Sequence, residues 1–371
     1  MNNVKTIYLS LGSNQGNRLE NLQKAINLIG IRIGKIENIS ATYKTDSWGF
    51  VGDYFLNICV SLTSSFKPEL LIKEVLKIEK LVGRIRPLHG GFASRIIDID
   101  ILLIDNEIIN TKDLVVPHPK MLDRKFVLEP LAEIAPNCIH PIAKKSITEC
   151  INDCTDVTLV EKIDLKLNRP IPLYEKYNYI AIEGNIGAGK TSLANQIAQD
   201  FNAKMVLERF ADNPFLPKFY DDNERYAFPL EMSFLADRYQ QLSDDLAQFD
   251  LFKNFIVSDY YIFKSLIFAQ VTLQTEEFFL YRKIFDVMYK EISKPDLYIY
   301  LYQNTDRLLE NIKKRGRDYE QNISGKYLDK IHKGYASFIQ SEQQLNTLII
   351  DVSDMDFVNN KDDYHRILSM L

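Results

Sequence analysis

Gly184, Gly189, Lys190 and Thr191 stand at the spacing G-x-x-x-x-G-K-T, with Gly187 inside the run and an apolar, strand-like Tyr179–Ile182 directly before it. That combination suits phosphate. Glycines let successive backbone N–H groups curl around phosphate oxygens, Lys190 adds a positive charge, and the Thr191 hydroxyl suits a Mg²⁺ ion. The run Gly184, Asn185, Ile186, Gly187, Ala188, Gly189, Lys190, Thr191 and Ser192 is therefore the candidate ATP-binding loop. Leu193 and Ile197 begin an i, i+4 apolar stripe, so a helix should follow. Glu208 comes after a second strand-like stretch and should emerge at a strand end facing the phosphate site. A carboxylate there can take the proton of a hydroxyl that attacks the γ-phosphate.

A second set lies upstream in Arg95-Ile-Ile-Asp98-Ile-Asp100-Ile. Read as a strand, its period of two puts Asp98 and Asp100 on one face and Ile97, Ile99 and Ile101 on the other. Two carboxylates so placed repel unless something positive sits between them, and a pair of Mg²⁺ ions would answer this with hard oxygen ligands. Arg84, Arg86 and Arg95 flank the loop Pro87–Ser94, and guanidinium groups beside such acids suggest a polyphosphate substrate.

The elements that must carry these residues divide the 371-residue chain in two. Residues 1–160 alternate short strands with helical patterns at 19–30 and 68–82, an α+β mix. Residues 161–176 hold two prolines and no helical period, and read as a mostly extended linker. Residues 177–371 are mostly helical between a few apolar strands, which suits a parallel sheet wrapped by helices. The net charge of −5 speaks against a general nucleic-acid binder. No apolar run approaches membrane length, and Met1–Lys5 leads into a strand rather than a signal peptide, so a cytoplasmic protein is expected. Cys59, Cys138, Cys150 and Cys154 are scattered and expected to be reduced.

The N-terminal motifs resemble the 6-hydroxymethyl-7,8-dihydropterin pyrophosphokinase family. They are Leu11-Gly12-Ser13-Asn14, Tyr43-Lys44-Thr45 with Trp48-Gly49, Phe55-Leu56-Asn57, and Glu79 before Gly83-Arg84-Ile85-Arg86. The Arg95…Asp98-x-Asp100 strand, Val116-Pro117-His118, Arg124-x-Phe126 and Glu133-Ile-Ala-Pro136 complete the series. The resemblance implies a ferredoxin-like α+β fold that moves a diphosphate from ATP to the pterin hydroxymethyl group and releases AMP. It implies that Thr45, Phe55, Asn57 and Phe126 bind the pterin, that Asp98 and Asp100 hold two Mg²⁺, and that Arg84, Arg95 and His118 neutralise the triphosphate. The loop around His89–Ser94 is one residue longer than the family pattern.

From Tyr177 to Ile350 the chain resembles the deoxyribonucleoside kinase family. Besides the glycine loop, the matching residues are Glu208-Arg209, Asn213-Pro214-Phe215-Leu216, Tyr220, Glu231, Asp259-Tyr260-Tyr261, and the lid-like Lys313–Glu320. An α/β P-loop kinase with one Mg²⁺, held by Thr191 and Asp259, is implied. Glu208 would be the base, Tyr220 and Glu320 would grip the sugar 3′-hydroxyl, and Arg315 and Arg317 would close on the transferred phosphate. Tyr260 stands where the family often has arginine. Glu231 stands where many members have glutamine; a carboxylate only accepts, so it suits a base edge with two donors, such as guanine. Small-molecule substrates are expected, with no nucleic acid and no membrane, and a homodimer through the kinase domain. The competing readings are a nucleoside monophosphate kinase in the C-terminal half, or a non-catalytic nucleotide-dependent module.

Overall fold

The computed structural model describes residues 4–47, 52–85, 94–209, 213–248, 250–317 and 320–371. Trp48-Gly49, Arg86, the loop through Ala93, Asp318 and Tyr319 lie outside the described residues, as does the side chain of Tyr220. The chain splits into two compact units, Met1–Pro170 and Ile171–Leu371.

The first unit runs β1 (Lys5–Ser13), α1 (Arg18–Arg32), β2 (Lys35–Ile39), β3 (Thr42–Thr45), β4 (Phe55–Ser64), α2 (Pro68–Val82) and β5 (Asp98–Ile104). It continues with β6 (Ile109–Asn110), β7 (Val115–Val116), α3 (Lys125–Ile134), α4 (Ile147–Asp153) and β8 (Val160–Ile163). The main sheet has the order β5-β1-β4-β3-β8, with β2 also paired to β4, and its pairings are antiparallel. Alternation builds two cores. Ile58, Val60 and Leu62 of β4 join the apolar residues of α1 and α2 in one cluster, while Cys59 joins Val127, Leu128 and Leu131 of α3 in another. Pro68 opens α2 at a position that needs no donor, and Gly83 closes it at φ 121°, turning the chain out toward Arg84.

The stretch expected as linker is only partly one. Val160–Ile163 pairs with β3, Thr42 Oγ1 donates to the Leu165 carbonyl at 2.7 Å, and Asn168 N donates to Gln23 Oε1 at 2.8 Å. Pro170 and Pro172 fall beyond this pairing, which is why the prolines misled: they mark the junction between units, not a long tether.

The second unit runs α5 (Leu173–Lys176), β9 (Tyr179–Gly184), α6 (Lys190–Asp200), β10 (Lys204–Val206), α7 (Leu216–Asp221), α8 (Asn223–Ala247), β11 (Ile256–Ser258) and α9 (Phe263–Thr272). Then come α10 (Thr275–Tyr289), β12 (Leu297–Tyr302), α11 (Thr305–Arg315), α12 (Gly325–Ser341), β13 (Thr347–Asp351) and α13 (Lys361–Leu368). The strands form a parallel sheet in the order β10-β11-β9-β12-β13. Parallel pairing brings the carboxyl ends of β9, β10 and β11 to one edge, so Gly184, Glu208 and Asp259 leave the sheet on the same side. The core is unusually aromatic, with Tyr179, Tyr260, Tyr261, Tyr298, Tyr300 and Tyr335 buried together. Among the described residues, no helix is long and apolar enough to cross a membrane.

Candidate active sites

A cavity of about 1020 Å³ in the first unit is lined by Thr45, Phe55, Asn57, Arg84, Arg95, Asp98, Asp100, His118 and Phe126, together with Arg124. Every residue expected at the N-terminal site therefore converges there. The geometry begins with β5, an outer strand of the sheet: Asp98 pairs in register with Gly12 and Asp100 with Ser10, so both carboxylates leave on one face while Ile99 is buried. Asp98 is held by Arg84 and by Arg95 Nη1 at 2.5 Å. Asp100 has less help, with Arg124 Nη1 at 3.7 Å and His118 Nε2 at 4.0 Å. Burial, and then the charge of Asp98, push its carboxyl up to about 6.

Around this pair, Asn57 Nδ2 donates to Thr45 Oγ1 at 2.8 Å, fixing the amide between β4 and β3. Gly12 makes room for it, since a Cβ there would come within 2.9 Å of Asn57 Oδ1. Arg95 lies 5.7 Å from the Phe55 ring centroid, and Arg124 lies 5.7 Å from that of Phe126. Burial, and then Arg124, lower His118 to about 4, so its imidazole is neutral near pH 7. Its Nδ1 accepts from Lys120 N at 3.3 Å, which leaves Nε2–H as a donor. In the free protein His118 thus offers a hydrogen bond from Nε2 rather than a full charge.

The second unit has a cavity of about 420 Å³ lined by Gly187, Lys190, Thr191, Glu208, Glu231, Asp259, Arg315, Arg317 and Glu320. Two glycines of the loop are sterically required. A Cβ on Gly184 would come within 2.6 Å of the Leu301 carbonyl, and one on Gly189, at φ 87°, within 2.6 Å of Phe357 Cζ. The loop ends at the first turn of α6, whose N–H groups suit an anion. Lys190 Nζ donates to the carbonyls of Gly184 and Asn185 at 3.0 and 2.9 Å, and burial followed by the charge of Lys264 lowers it to about 8. Ile186, Ala188 and Ser192 belong to the same loop and helix start.

Thr191 donates to Asp259 Oδ2, while Asp259 Oδ1 accepts from Glu208 N at 2.8 Å. That one carboxylate ties the ends of β11, β10 and the loop together. Glu208 is gripped: Arg238 Nε and Nη2 donate to Oε1 at 2.9 and 2.7 Å, and Lys264 Nζ donates to Oε2 at 2.5 Å. Burial opposes its charge, but Lys264 and Arg238 outweigh this and hold the carboxyl well below the usual range. Arg315 and Arg317 both donate to Glu320, the latter at 3.2 Å. Glu231 is buried in α8, with burial raising its carboxyl to about 7. Tyr220 lies in α7. Tyr260 is fully buried in the core rather than in the cavity.

Arg238, Lys264 and Thr272 line this cavity and were not picked out from the sequence. Arg238 had a legible signal, being seven residues from Glu231 on one helix and hence on the same face. Lys264 had none, because one lysine after Tyr260-Tyr261-Ile262-Phe263 looks like any other. In the first unit, Glu79 stands out in the sequence only as part of a motif; its Oε1 accepts from Ile99 N at 2.9 Å and from Arg84, which pins α2 to the acidic strand.

The carboxylates of the first unit fit Mg²⁺, which commonly takes one or two carboxylates plus phosphate oxygens and water. Among the described residues no cluster of three or more His, Cys, Asp or Glu side chains forms a self-sufficient metal site, so substrate oxygens would complete the shell.

Comparisons with known proteins match the two units separately. The deoxynucleoside kinase family model matches residues 180–371. The model for 7,8-dihydro-6-hydroxymethylpterin-pyrophosphokinase matches residues 8–136. A deoxyguanosine kinase from Bacillus subtilis is 40% identical over 51% of this chain and 93% of its own length. A 2-amino-4-hydroxy-6-hydroxymethyldihydropteridine pyrophosphokinase from Aquifex aeolicus is 44% identical over 39% of this chain and 90% of its own. A solved deoxyadenosine kinase from M. mycoides is 24% identical, covers 51% of this chain and 96% of that one, and has a TM-score of 0.45. ATP and Mg²⁺ are the general requirements of both kinase families. The chain belongs to both, a hydroxymethyldihydropterin pyrophosphokinase and a deoxynucleoside kinase joined in one bifunctional phosphotransferase.

Proposed function

We propose that the N-terminal cavity holds the pterin between Phe55 and Phe126, with Thr45 and Asn57 at its polar edge and the ATP phosphates facing Arg84, Arg95 and His118. The observation that carries this is the convergence of all these side chains with Asp98 and Asp100 on one cavity. Asp98 and Asp100 would hold two Mg²⁺, whose charge would offset that building on the transferred diphosphate. The protein's own part is to fix the acids through Arg84, Arg95 and Arg124 and to aim the pterin hydroxymethyl group at the β-phosphorus. A ferredoxin-like fold is supported by the strand order, because β2 and β3 pair with successive parts of β4 and act as one broken strand. Release of AMP from ATP on addition of the pterin tests the assignment.

In the C-terminal unit the glycine loop and Lys190 would take the ATP phosphates, and Thr191 with Asp259 would hold one Mg²⁺. Glu208 would orient the 5′-hydroxyl and accept its proton. Its grip by two cations makes it an orienting acceptor more than a strong base, which suits phosphoryl transfer, where positioning dominates. Tyr220 and Glu320 would take the sugar 3′-hydroxyl, and Arg315 and Arg317 would turn to the transferred phosphoryl. Glu231 would read the base. An acceptor-only carboxylate matches the N1–H and N2–H₂ donors of guanine, and the Bacillus relative, a deoxyguanosine kinase, supports that preference. Family likeness also supports a homodimer through this unit and a cytoplasmic location. A panel of the four common deoxynucleosides at fixed ATP tests the preference. Deoxyguanosine should rank first, and Glu231→Gln should change the ranking.

A further inference from the structure

Glu231 brings its carboxyl into the wall of the C-terminal cavity and is 3% exposed. Its two oxygens are treated differently. Oε1 accepts from Thr272 Oγ1 at 2.9 Å, whereas Oε2 is buried with no hydrogen-bond partner among the described residues. The same Thr272 hydroxyl also lies 3.0 Å from the Phe268 carbonyl. One hydroxyl carries one proton, so it cannot serve both acceptors at once.

A proton on the carboxyl resolves this arrangement. Placed on Oε1, it is donated to Thr272, whose own proton then turns to the Phe268 carbonyl. Placed on Oε2, it gives the atom left without a partner a proton of its own while Thr272 donates to Oε1. An ionised carboxyl would instead leave Oε2 buried and bare, which is costly. The surroundings agree. Arg238 on its own helix and Lys264 on α9 are the cations that act on Glu231, and both are committed to Glu208. From α10, the Tyr281 hydroxyl lies 3.5 Å from the Glu231 backbone carbonyl, and α7 adds Leu216 and Phe219 to the cavity wall. Burial therefore prevails over Arg238, Thr272 and Lys264, and the carboxyl sits at about 7.

We propose that Glu231 selects the nucleobase through its own protonation, with Thr272 allowing the proton to sit on either oxygen. The proposal rests on the assignment of Glu231 to the base. Ionised, the group only accepts and favours an edge with two adjacent donors, as guanine has. Neutral, it can present a donor or an acceptor from Oε2, and so also tolerates an edge like that of adenine, whose ring nitrogen accepts beside an amino donor. Binding guanine to the neutral form releases one proton to solvent; binding an adenine-type edge retains it. Selectivity is thus tied to pH near neutrality.

The test is kcat/KM for deoxyguanosine and deoxyadenosine at saturating ATP with the full chain, from roughly pH 6 to 8.5, across the titration. The guanine-to-adenine ratio of the wild type should rise about tenfold per pH unit across the titration, about a hundredfold over two units. Glu231→Gln should flatten that dependence. Thr272→Val removes a donor that favours the ionised form, so its rise should move to higher pH. A flat wild-type ratio together with a changed ranking in Glu231→Gln would overturn the proton linkage and leave base reading intact. An unchanged ranking in Glu231→Gln would defeat base reading, and the linkage with it. If Thr272→Val does not fold, Thr272→Ser must keep the wild-type midpoint, and a displaced midpoint there overturns the role given to Thr272.

Discussion

The two sites of this chain handle ATP phosphates with opposite electrostatics. In the first unit two carboxylates share the face of an outer strand, and the arginines nearby compensate one of them better than the other. Asp98 has two guanidinium partners, while Asp100 is left partly uncompensated and titrates at about 6. In the second unit one carboxylate, Glu208, is gripped by two cations, and glycine-loop amides and Lys190 stand ready beside it. One site is short of positive charge and the other is charged in advance for an anion. The difference follows from the sheets. The antiparallel outer strand brings the side chains of one face to its site, whereas the parallel sheet also offers the loop and helix amides at its carboxyl edge.

If that contrast is right, removing an acid should silence the first site and removing a cation the second. Asp98→Ala or Asp100→Ala should lower AMP formation with the pterin by roughly 10³-fold, several kcal/mol of lost charge stabilisation. Deoxynucleoside phosphorylation should stay close to wild type. A mutant of either acid that still makes pterin diphosphate at near wild-type rate refutes the metal assignment. Lys190→Ala should do the reverse, costing deoxynucleoside phosphorylation roughly 10²-fold while sparing the pterin reaction. Parallel assays of both activities on each protein decide this. Because each unit encloses its own apolar core, residues 1–170 and 171–371 expressed apart should each keep one activity.

Residues that declare themselves by local pattern were legible in the sequence. The glycine loop, the Asp98-x-Asp100 alternation and the strands at 179–184, 256–258 and 297–302 need only a short window to be recognised. What escaped was set by tertiary contact. Val160–Ile163 looked like linker because its partner strand, β3, lies more than a hundred residues away. Lys264 gave no local sign because its meaning is its contact with Glu208 on another strand end, 56 residues distant. Tyr260 stands at a position where the family often has arginine and turns inward, since the aromatic core of the second unit has a place for its ring. The protonation of His118 was equally illegible, since histidine titrates near neutral in water and burial beside Arg124 lowers it here.

A smaller effect sharpens the contrast within the first unit. Glu79 is buried at 2% exposure and accepts from Ile99 N of the acidic strand and from Arg84. Glu79→Gln keeps the shape but weakens the charge-assisted bond to Arg84, so kcat of the pterin reaction should fall about tenfold. Its dependence on Mg²⁺ concentration should shift little, because Asp98 and Asp100 remain. A large rise in the Mg²⁺ requirement would mean that Glu79 belongs with the metal-holding acids instead.

The smallest expected effect concerns stability in the second unit. Glu231 is buried and titrates at about 7, above the ordinary carboxylate value. With a raised folded-state value, the folded protein holds a proton that the unfolded chain has already lost. Stability from this group is therefore complete below about pH 4.5, declines as pH rises, and is gone above about pH 7. Glutamine keeps the shape and carries no charge to desolvate. Glu231→Gln should accordingly be more stable than wild type at about pH 8, by roughly 1–2 kcal/mol or a few degrees of Tm for the second unit, and nearly equal at about pH 5. Melting residues 171–371 at the two pH values measures it. A glutamine variant less stable at both would mean that the carboxylate is compensated in the folded state, and that Glu231 resembles Glu208 rather than Asp100.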